Sequence, residues 1–324
     1  MRMHILILLL FMSTAHADID FSGTDPAPGN MRFKWIHGSI SAKANTDVRV
    51  QVHRYNEHTY ILRQNPAIDW EGPFMYLLIG NKRAVLIDAG ATEEAAYFPL
   101  RATVDQVITR WQSANGIANT ELIVMPLGGD SSQIGALAQF ADRPSTKVVY
   151  PQAAARQGQL GADWPKQGRL DLGGRVLEVM PTPGLDANAI SLYDPWTDVL
   201  FTGNTFYPGR LVIRDFAAYR ATLKRLTQFK KDHPVAWIAG GRIEMTDTPR
   251  MAYRMRENYR PREHLLELDP ATLDDGLNIV QLINGAKDIR LHDDFIVMNG
   301  EGRGAQDSGY PVYVPKEFRK PNPI

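Results

Sequence analysis

Hydrophobic residues along the chain switch repeatedly between the two-residue period of strands and the longer period of helices. Residues 74–80 and 84–88 are apolar runs joined by a polar Asn81-Lys82 tip, a pattern that predicts a hairpin of two buried strands. Residues 93–114 carry apolar side chains three or four positions apart, which predicts an amphipathic helix. The chain therefore mixes strands and helices from its first third onward.

The same two periods continue almost to the end of the sequence. Strand and helix alternate through both halves without an intervening linker, which favours one α/β domain with αβ/βα layers over two independent domains. The other predicted strands are 48–52, 60–62, 121–125, 147–150, 175–180, 189–193, 199–203, 236–241 and 295–298, and the other predicted helices are 134–140, 216–229 and 271–286.

The N-terminal residues have the pattern of an export signal. Arg2 and His4 precede an apolar run over 5–12, and Ala15-His16-Ala17 supplies the small residues that signal peptidase requires. A membrane anchor is the alternative, but this run is far shorter than the roughly 20 residues that span a bilayer. We expect residues 1–17 to be a signal peptide, the mature protein to be periplasmic or secreted, and no membrane span to remain after cleavage.

Composition sets the other limits of the domain. Residues 18–45 are rich in Gly, Pro, Ser and Asp and predict an irregular lead-in, residues 46–300 form the predicted domain, and residues 301–324 form a Pro- and Gly-rich tail. The 324-residue chain has 36 basic and 36 acidic residues and no run of basic residues, so we expect no nucleic-acid partner. It has no cysteine, which excludes a disulfide scaffold, a thiolate zinc site and a cysteine nucleophile.

Five segments between about residues 60 and 270 follow one another in a familiar order. Together they resemble the metallo-β-lactamase superfamily of metal-dependent hydrolases. The resemblance implies a four-layer αβ/βα sandwich whose strand-end loops carry the chemistry. The segments are the 74–88 hairpin ending in Asp88-Ala89-Gly90, the loop within 122–137, Pro181-Thr182-Pro183-Gly184 and its sequel to 190, Thr202-Gly203-Asn204-Thr205 within 200–211, and 240–245.

The resemblance also implies where metal ligands would lie, and those positions hold the wrong residue types. A zinc site needs neutral imidazoles and carboxylates around the ion. One carboxylate and no imidazole cannot hold zinc tightly, so we expect no metal and no other cofactor, and we leave open a displaced site built from histidines elsewhere. The seven ligand-equivalent positions are Gly128, Asp130, Ser132, Gln133, Ala189, Asn204 and Arg242.

Arg242 leads to a specific expectation about the pocket. A guanidinium is always cationic, so it would repel metal ions and attract carboxylates. We expect it to pair inside the pocket with Asp88 or Asp130, the alternative being that it points to solvent. Ser131 and Ser132 lie on a glycine-flanked loop that could supply a nucleophile or backbone N–H groups that bind an anion, and we expect instead a polar turn that caps the following helix. The candidate pocket residues are Asp88, Asp130, Ser132, Gln133, Asp186, Asn204 and Arg242.

Three function classes fit these observations. The sequence favours a non-hydrolytic pseudoenzyme that binds an unknown small molecule or protein. The alternative is a hydrolase of a lactone, an ester or a β-lactam-like amide, with a noncanonical metal or a metal-free site around Asp130, Asp186 and Arg242. A structural subunit of a larger assembly is the third possibility.

Overall fold

Two mixed six-stranded sheets form the centre of the computed structural model, which describes residues 18–23, 25–150, 160, 164–166 and 168–300. The predicted signal peptide (1–17) and the predicted tail (301–324) lie outside these residues. The first sheet has the order β1 to β6: its first four strands run antiparallel, and β4, β5 and β6 run parallel. Its strands are β1 Val50–Asn56, β2 Thr59–Gln64, β3 Phe74–Ile79, β4 Arg83–Ile87, β5 Glu121–Met125 and β6 Thr146–Val148.

The second sheet has the order β13-β12-β10-β9-β8-β7, and β10 and β12 are its parallel pair. A third, three-stranded sheet has the order β11-β15-β14 and joins the C-terminal strands to the middle of the chain. The strands are β7 Gly168–Asp171, β8 Val176–Pro181, β9 Ile190–Asp194, β10 Val199–Gly203, β11 Arg210–Ile213, β12 Trp237–Gly240, β13 Glu267–Leu268, β14 Asp288–Leu291 and β15 Ile296–Asn299.

Helices cover the outer faces of the two large sheets. One core cluster joins side chains of both sheets, a second joins the first sheet to α1, and a third joins the second sheet to α3 and α4. This order confirms the predicted four-layer αβ/βα sandwich. The helices are α1 Leu100–Asn115, α2 Ser131–Ile134, α3 Phe216–Asp232 and α4 Thr272–Ile283, with 3-10 turns at Ala42–Ala44 and Leu137–Phe140.

Two predicted helices differ from the structure for reasons of backbone chemistry. The helix predicted over 93–114 begins only at Leu100, because Pro99 sits at its N-cap and the residues before it form turns. The helix predicted over 134–140 is two separate short turns, α2 and Leu137–Phe140. The sequence pattern also missed the short strands β7, β11, β13 and β14.

Local sequence signals explain where the long helices begin and end. The Asp215 side chain accepts a hydrogen bond from Ala218 N at the start of α3, and Lys230 and Lys231 lie in its last turn. Gly116 takes a left-handed conformation that ends α1. Within the described part of the chain, no helix has the length and apolar character needed to cross a membrane.

Candidate functional site

A pocket of about 560 Å³ lies where strands of both large sheets and the third sheet end. Its walls come from the loop after β5, the loop between β8 and β9, the turn after β10, both ends of β11, and the segment after β12. This volume is in the range of small-molecule sites. The polar side chains of its lining include Asp130, Ser131, Gln133, Asp186, Asn204, Tyr207, Arg210, Arg214 and Arg242.

The structure brings all seven sequence-predicted residues to this region. Asp88 and Ser132 lie buried beneath the surface of the pocket and reach it through hydrogen bonds to Gln133 and Asn204. The other five line the pocket: Asp130, Gln133, Asp186, Asn204 and Arg242.

Asp88 has a structural role below the pocket floor. It follows β4 with a φ of 62°, a left-handed conformation that is costly for a residue other than glycine. Its Oδ1 accepts hydrogen bonds from Leu127 N at 2.7 Å and from Gln133 Nε2 at 3.2 Å. Asp88 therefore ties the end of β4 to the loop that carries Asp130.

Asp130 caps the short helix α2. Its Oδ1 accepts from Ser132 N at 3.1 Å and from Ser132 Oγ at 2.7 Å, and Asn204 Nδ2 donates to Ser132 Oγ at 3.1 Å. The cap is therefore the aspartate, and not the serine pair as expected. Burial alone would raise the pKa of Asp130, but the Arg242 charge and the Ser132 hydrogen bonds outweigh it and lower this pKa.

Asp186 joins two loops at the rim of the pocket. Its Oδ2 accepts from Gly129 N at 2.6 Å, and its Oδ1 accepts from Asn188 N at 2.8 Å. Asp186 and Asp130 are thus both occupied by donors of the protein.

Arg242 lies at the pocket, as expected, but its direct ion pairs are with other carboxylates than the expected ones, and its charge acts on Asp130 without a salt bridge. Its Nη1 forms a short ion pair with Glu71, its Nε lies 3.5 Å from Glu244 Oε1, and its guanidinium lies over the Tyr207 ring at 5.1 Å. Asp88 accepts hydrogen bonds from Leu127 and Gln133, and Asp130 caps α2. Both carboxylates therefore stabilise loops at the end of the first sheet. The side chain of Arg242 is only 13% exposed.

Glu71 and Glu244 are the functional-site residues that the sequence reasoning missed. Glu71 lies in the loop between β2 and β3 and is 171 positions from Arg242, and nothing in its polar turn marks it. Glu244 offered a signal: it lies two residues after Arg242, and residues two apart in an extended segment share one side.

The two glutamates differ in their charge state. Burial raises the pKa of Glu71 to about 7, the carboxylates of Asp130, Asp69 and Glu244 add to the rise, and Arg242 opposes it. Burial would also raise the pKa of Glu244, but Arg242 and Arg210 outweigh it and lower this pKa. Arg210 holds Glu244 through Nη1 at 3.1 Å and through its backbone N at 2.9 Å.

The donor set of the pocket does not fit zinc. The ligand-equivalent side chains that reach the pocket are a capping carboxylate, two amides and a paired guanidinium, and zinc needs imidazole, thiolate or several free carboxylates. In the described ranges, no group of three or more His, Cys, Asp or Glu side chains is placed to hold a metal ion. A displaced histidine site is therefore not formed by those residues.

No family model and no curated protein matches this sequence. Among solved structures, the chain is similar to a metallo-β-lactamase from Pontibacter korlensis, with 16% identity over 72% of this chain and 99% of that one and a TM-score of 0.49. It is similar to an archaeal metallo-β-lactamase superfamily protein from Sulfolobus tokodaii, with 17% identity, coverages of 69% and 85% and a TM-score of 0.40. It is also similar to TMB-1, with 10% identity, coverages of 74% and 100% and a TM-score of 0.49. These likenesses assign no reaction to this chain.

Proposed function

We propose that this chain binds a small molecule in its pocket and is a pseudoenzyme without zinc-dependent hydrolysis. The observation that carries the proposal is the buried ion-pair cluster of Arg242 with Glu71 and Glu244. The resemblance places a metal ligand at position 242. A guanidinium there fills the space and opposes the charge of a metal ion.

The state of the pocket carboxylates favours binding over hydrolysis. A general base must be free to take a proton from water or from a nucleophile. Asp130 and Asp186, the carboxylates of the metal-free alternative, each accept two hydrogen bonds from the protein. The effect of burial on the pKa of Asp130 is outweighed by the Arg242 charge and the Ser132 hydrogen bonds, which hold this pKa below its ordinary value. A small molecule fits the observations better than a protein partner, because the donors face a concave pocket.

A hydrolysis assay tests this proposal against the enzyme alternative. The purified protein and its Arg242→His variant are incubated with lactone, ester and β-lactam substrates, with and without added zinc. We expect no zinc-dependent turnover from either protein, because one new imidazole leaves the other positions without ligands. Zinc-dependent turnover by the unchanged protein would support the hydrolase instead.

Export remains a proposal that rests on the sequence pattern of residues 1–17 alone. We propose processing after Ala17, which makes Asp18 the first mature residue of a periplasmic or secreted protein. N-terminal sequencing of protein from an expressing cell tests this, and a chain that still begins with Met1 would contradict it.

A further inference from the structure

Some hydrogen-bonding groups of the pocket have partners within the protein and others have none. Its two wall carboxylates, Asp130 and Asp186, each accept two hydrogen bonds from the protein. By contrast, two buried donors, the Nε atoms of Arg210 and Arg242, and one buried acceptor, Asn204 Oδ1, have no hydrogen-bond partner. Buried donors without a partner are uncommon in native proteins and point to a missing acceptor.

Arg214 adds a whole cation to these unused donors. It lies between the end of β11 and the N-cap of α3, lines the pocket and is exposed. Its backbone N donates to Gly184 O at 3.0 Å, which fixes the residue at the rim. Within the described residues its guanidinium makes no side-chain hydrogen bond or salt bridge, although its charge helps to lower the pKa of Asp130. Arg210, by contrast, is paired with Glu244 and Arg242 with Glu71.

We infer that the pocket takes a small molecule with an anionic group, a carboxylate or a phosphate, which Arg214 binds at the rim with Arg242 behind it. This inference rests on the proposed function and names its ligand class. Guanidinium groups bind carboxylates and phosphates through two parallel hydrogen bonds, and Arg214 presents such a group to the pocket without a side-chain hydrogen bond or salt bridge. The pocket is therefore built for an anion where the resemblance implies metal cations.

Glu71 makes the binding of an anion sensitive to protons. The groups that act on it are Arg242, Asp130, Asp69, Glu244 and the Ser131 hydroxyl, whose Oγ lies 3.4 Å from Glu71 Oε2. An added negative charge in the pocket favours the neutral form of Glu71. Near pH 7 the complex therefore takes up a proton, and the affinity falls as the pH rises above 7.

Calorimetric titration of the whole mature chain tests the inference with inorganic phosphate, succinate and the uncharged diamide of succinate. We expect one saturable site for at least one of the two anions and none for the diamide, and the better anion identifies the ligand as a phosphate or a carboxylate. Titrations of succinate at pH 7, where both its carboxyls are ionised, in two buffers of different ionisation enthalpy measure the proton uptake by the protein, which Glu71→Gln should abolish without abolishing binding.

Arg214→Gln is the decisive variant, since the exposed side chain can change without disturbing the core. It should weaken anion binding roughly tenfold to a hundredfold. Arg169→Gln, on an exposed position of β7 outside the pocket, is the matched control and should bind like the unchanged protein.

Three results would overturn the inference: equal binding of the diamide, unchanged affinity in Arg214→Gln, or no saturable binding of either anion. Binding of the diamide by zinc-free protein would leave the proposed function standing. Zinc-dependent hydrolysis by a protein that still binds anions through Arg214 would remove the proposed function alone.

Discussion

Two buried arginine clusters in this molecule have opposite designs. Arg175 lies between the two sheets with both its own side chain and that of Asp194 fully buried, and it also donates to His58 O, Ile79 O and Thr59 Oγ1. Arg242 lies at the pocket, where its Nε has no hydrogen-bond partner and its glutamate partner Glu71 has a pKa of about 7. Every donor of Arg175 has an acceptor, and we call this group the closed cluster. Arg242 with Glu71 and Glu244 lies beside the cavity and keeps an unpartnered donor, and we call this group the pocket cluster.

The two clusters have different roles in the molecule. In the closed cluster all donors of Arg175 have acceptors, so its role is to hold strands of the two sheets together. In the pocket cluster a neutral Glu71 is accessible near pH 7, so the charge of the site can change when a ligand enters. The raised pKa of Glu71 therefore distinguishes the pocket cluster from the closed cluster.

The largest expected change in the free energy of unfolding comes from removing Arg175 from the closed cluster. Arg175→Ala leaves the Asp194 carboxylate buried without its cation, which should lower the free energy of unfolding by about 3–5 kcal/mol. Chemical denaturation measures it. Arg169→Ala, an exposed change on the same sheet, is the control and should change stability by less than about 0.5 kcal/mol. A loss below about 1 kcal/mol for Arg175→Ala would mean that the pair is not structural.

The pocket cluster should tolerate the same change better. Arg242→Ala should lower the free energy of unfolding by about 2–3 kcal/mol, because Glu71 can neutralise itself by taking a proton and Arg210 still holds Glu244. Denaturation alongside Arg175→Ala measures the difference. A neutral effect, or a loss equal to that of Arg175→Ala, would contradict the distinction between the clusters.

The smallest expected effect is a change in how the free energy of unfolding depends on pH. Glu71 has a raised pKa in the folded chain, about 7 against 4.5 as the ordinary value, so the folded state binds more protons between these two pH values. Its contribution to stability is therefore complete below pH 4.5 and is lost as the pH rises through 7. Between pH 5 and 7 the contribution of Glu71 to the free energy of unfolding should fall by roughly 1–2 kcal/mol. Glu71→Gln should remove this component from the stability profile, and an unchanged profile would show that Glu71 does not titrate there.

Local pattern was sufficient for most of the fold. The strands 121–125 and 199–203 have the predicted limits, and the predicted helix 271–286 is α4 with its ends moved by a few residues. The two strands are continuous apolar runs and the helix is long and periodic, so local pattern is enough to predict them. The strand β11 was missed because it exists through pairing with β15, a contact between distant parts of the chain. The strand β14 is joined to β15 by a short hairpin, but it alternates polar and apolar residues over only four positions.

The sequence predicted where the candidate site lies, but not which side chains form ion pairs within it. Motif positions located Asp130, Asn204 and Arg242 on one pocket, because strand-end loops converge in layered α/β folds. The partner of Arg242 depended on which loop reaches across from the first sheet. The fold brings Glu71 there from outside every motif segment, and no local property of the sequence encodes that contact.

The zinc content of the purified mature protein tests the central claim most directly. A paired arginine and a donor set without imidazole lie where the resemblance implies metal ligands. Elemental analysis after dialysis from a zinc-containing buffer should find far less than one equivalent of zinc, iron or manganese, in the unchanged protein and in Arg242→His alike. One or two tightly held equivalents in the unchanged protein would contradict it.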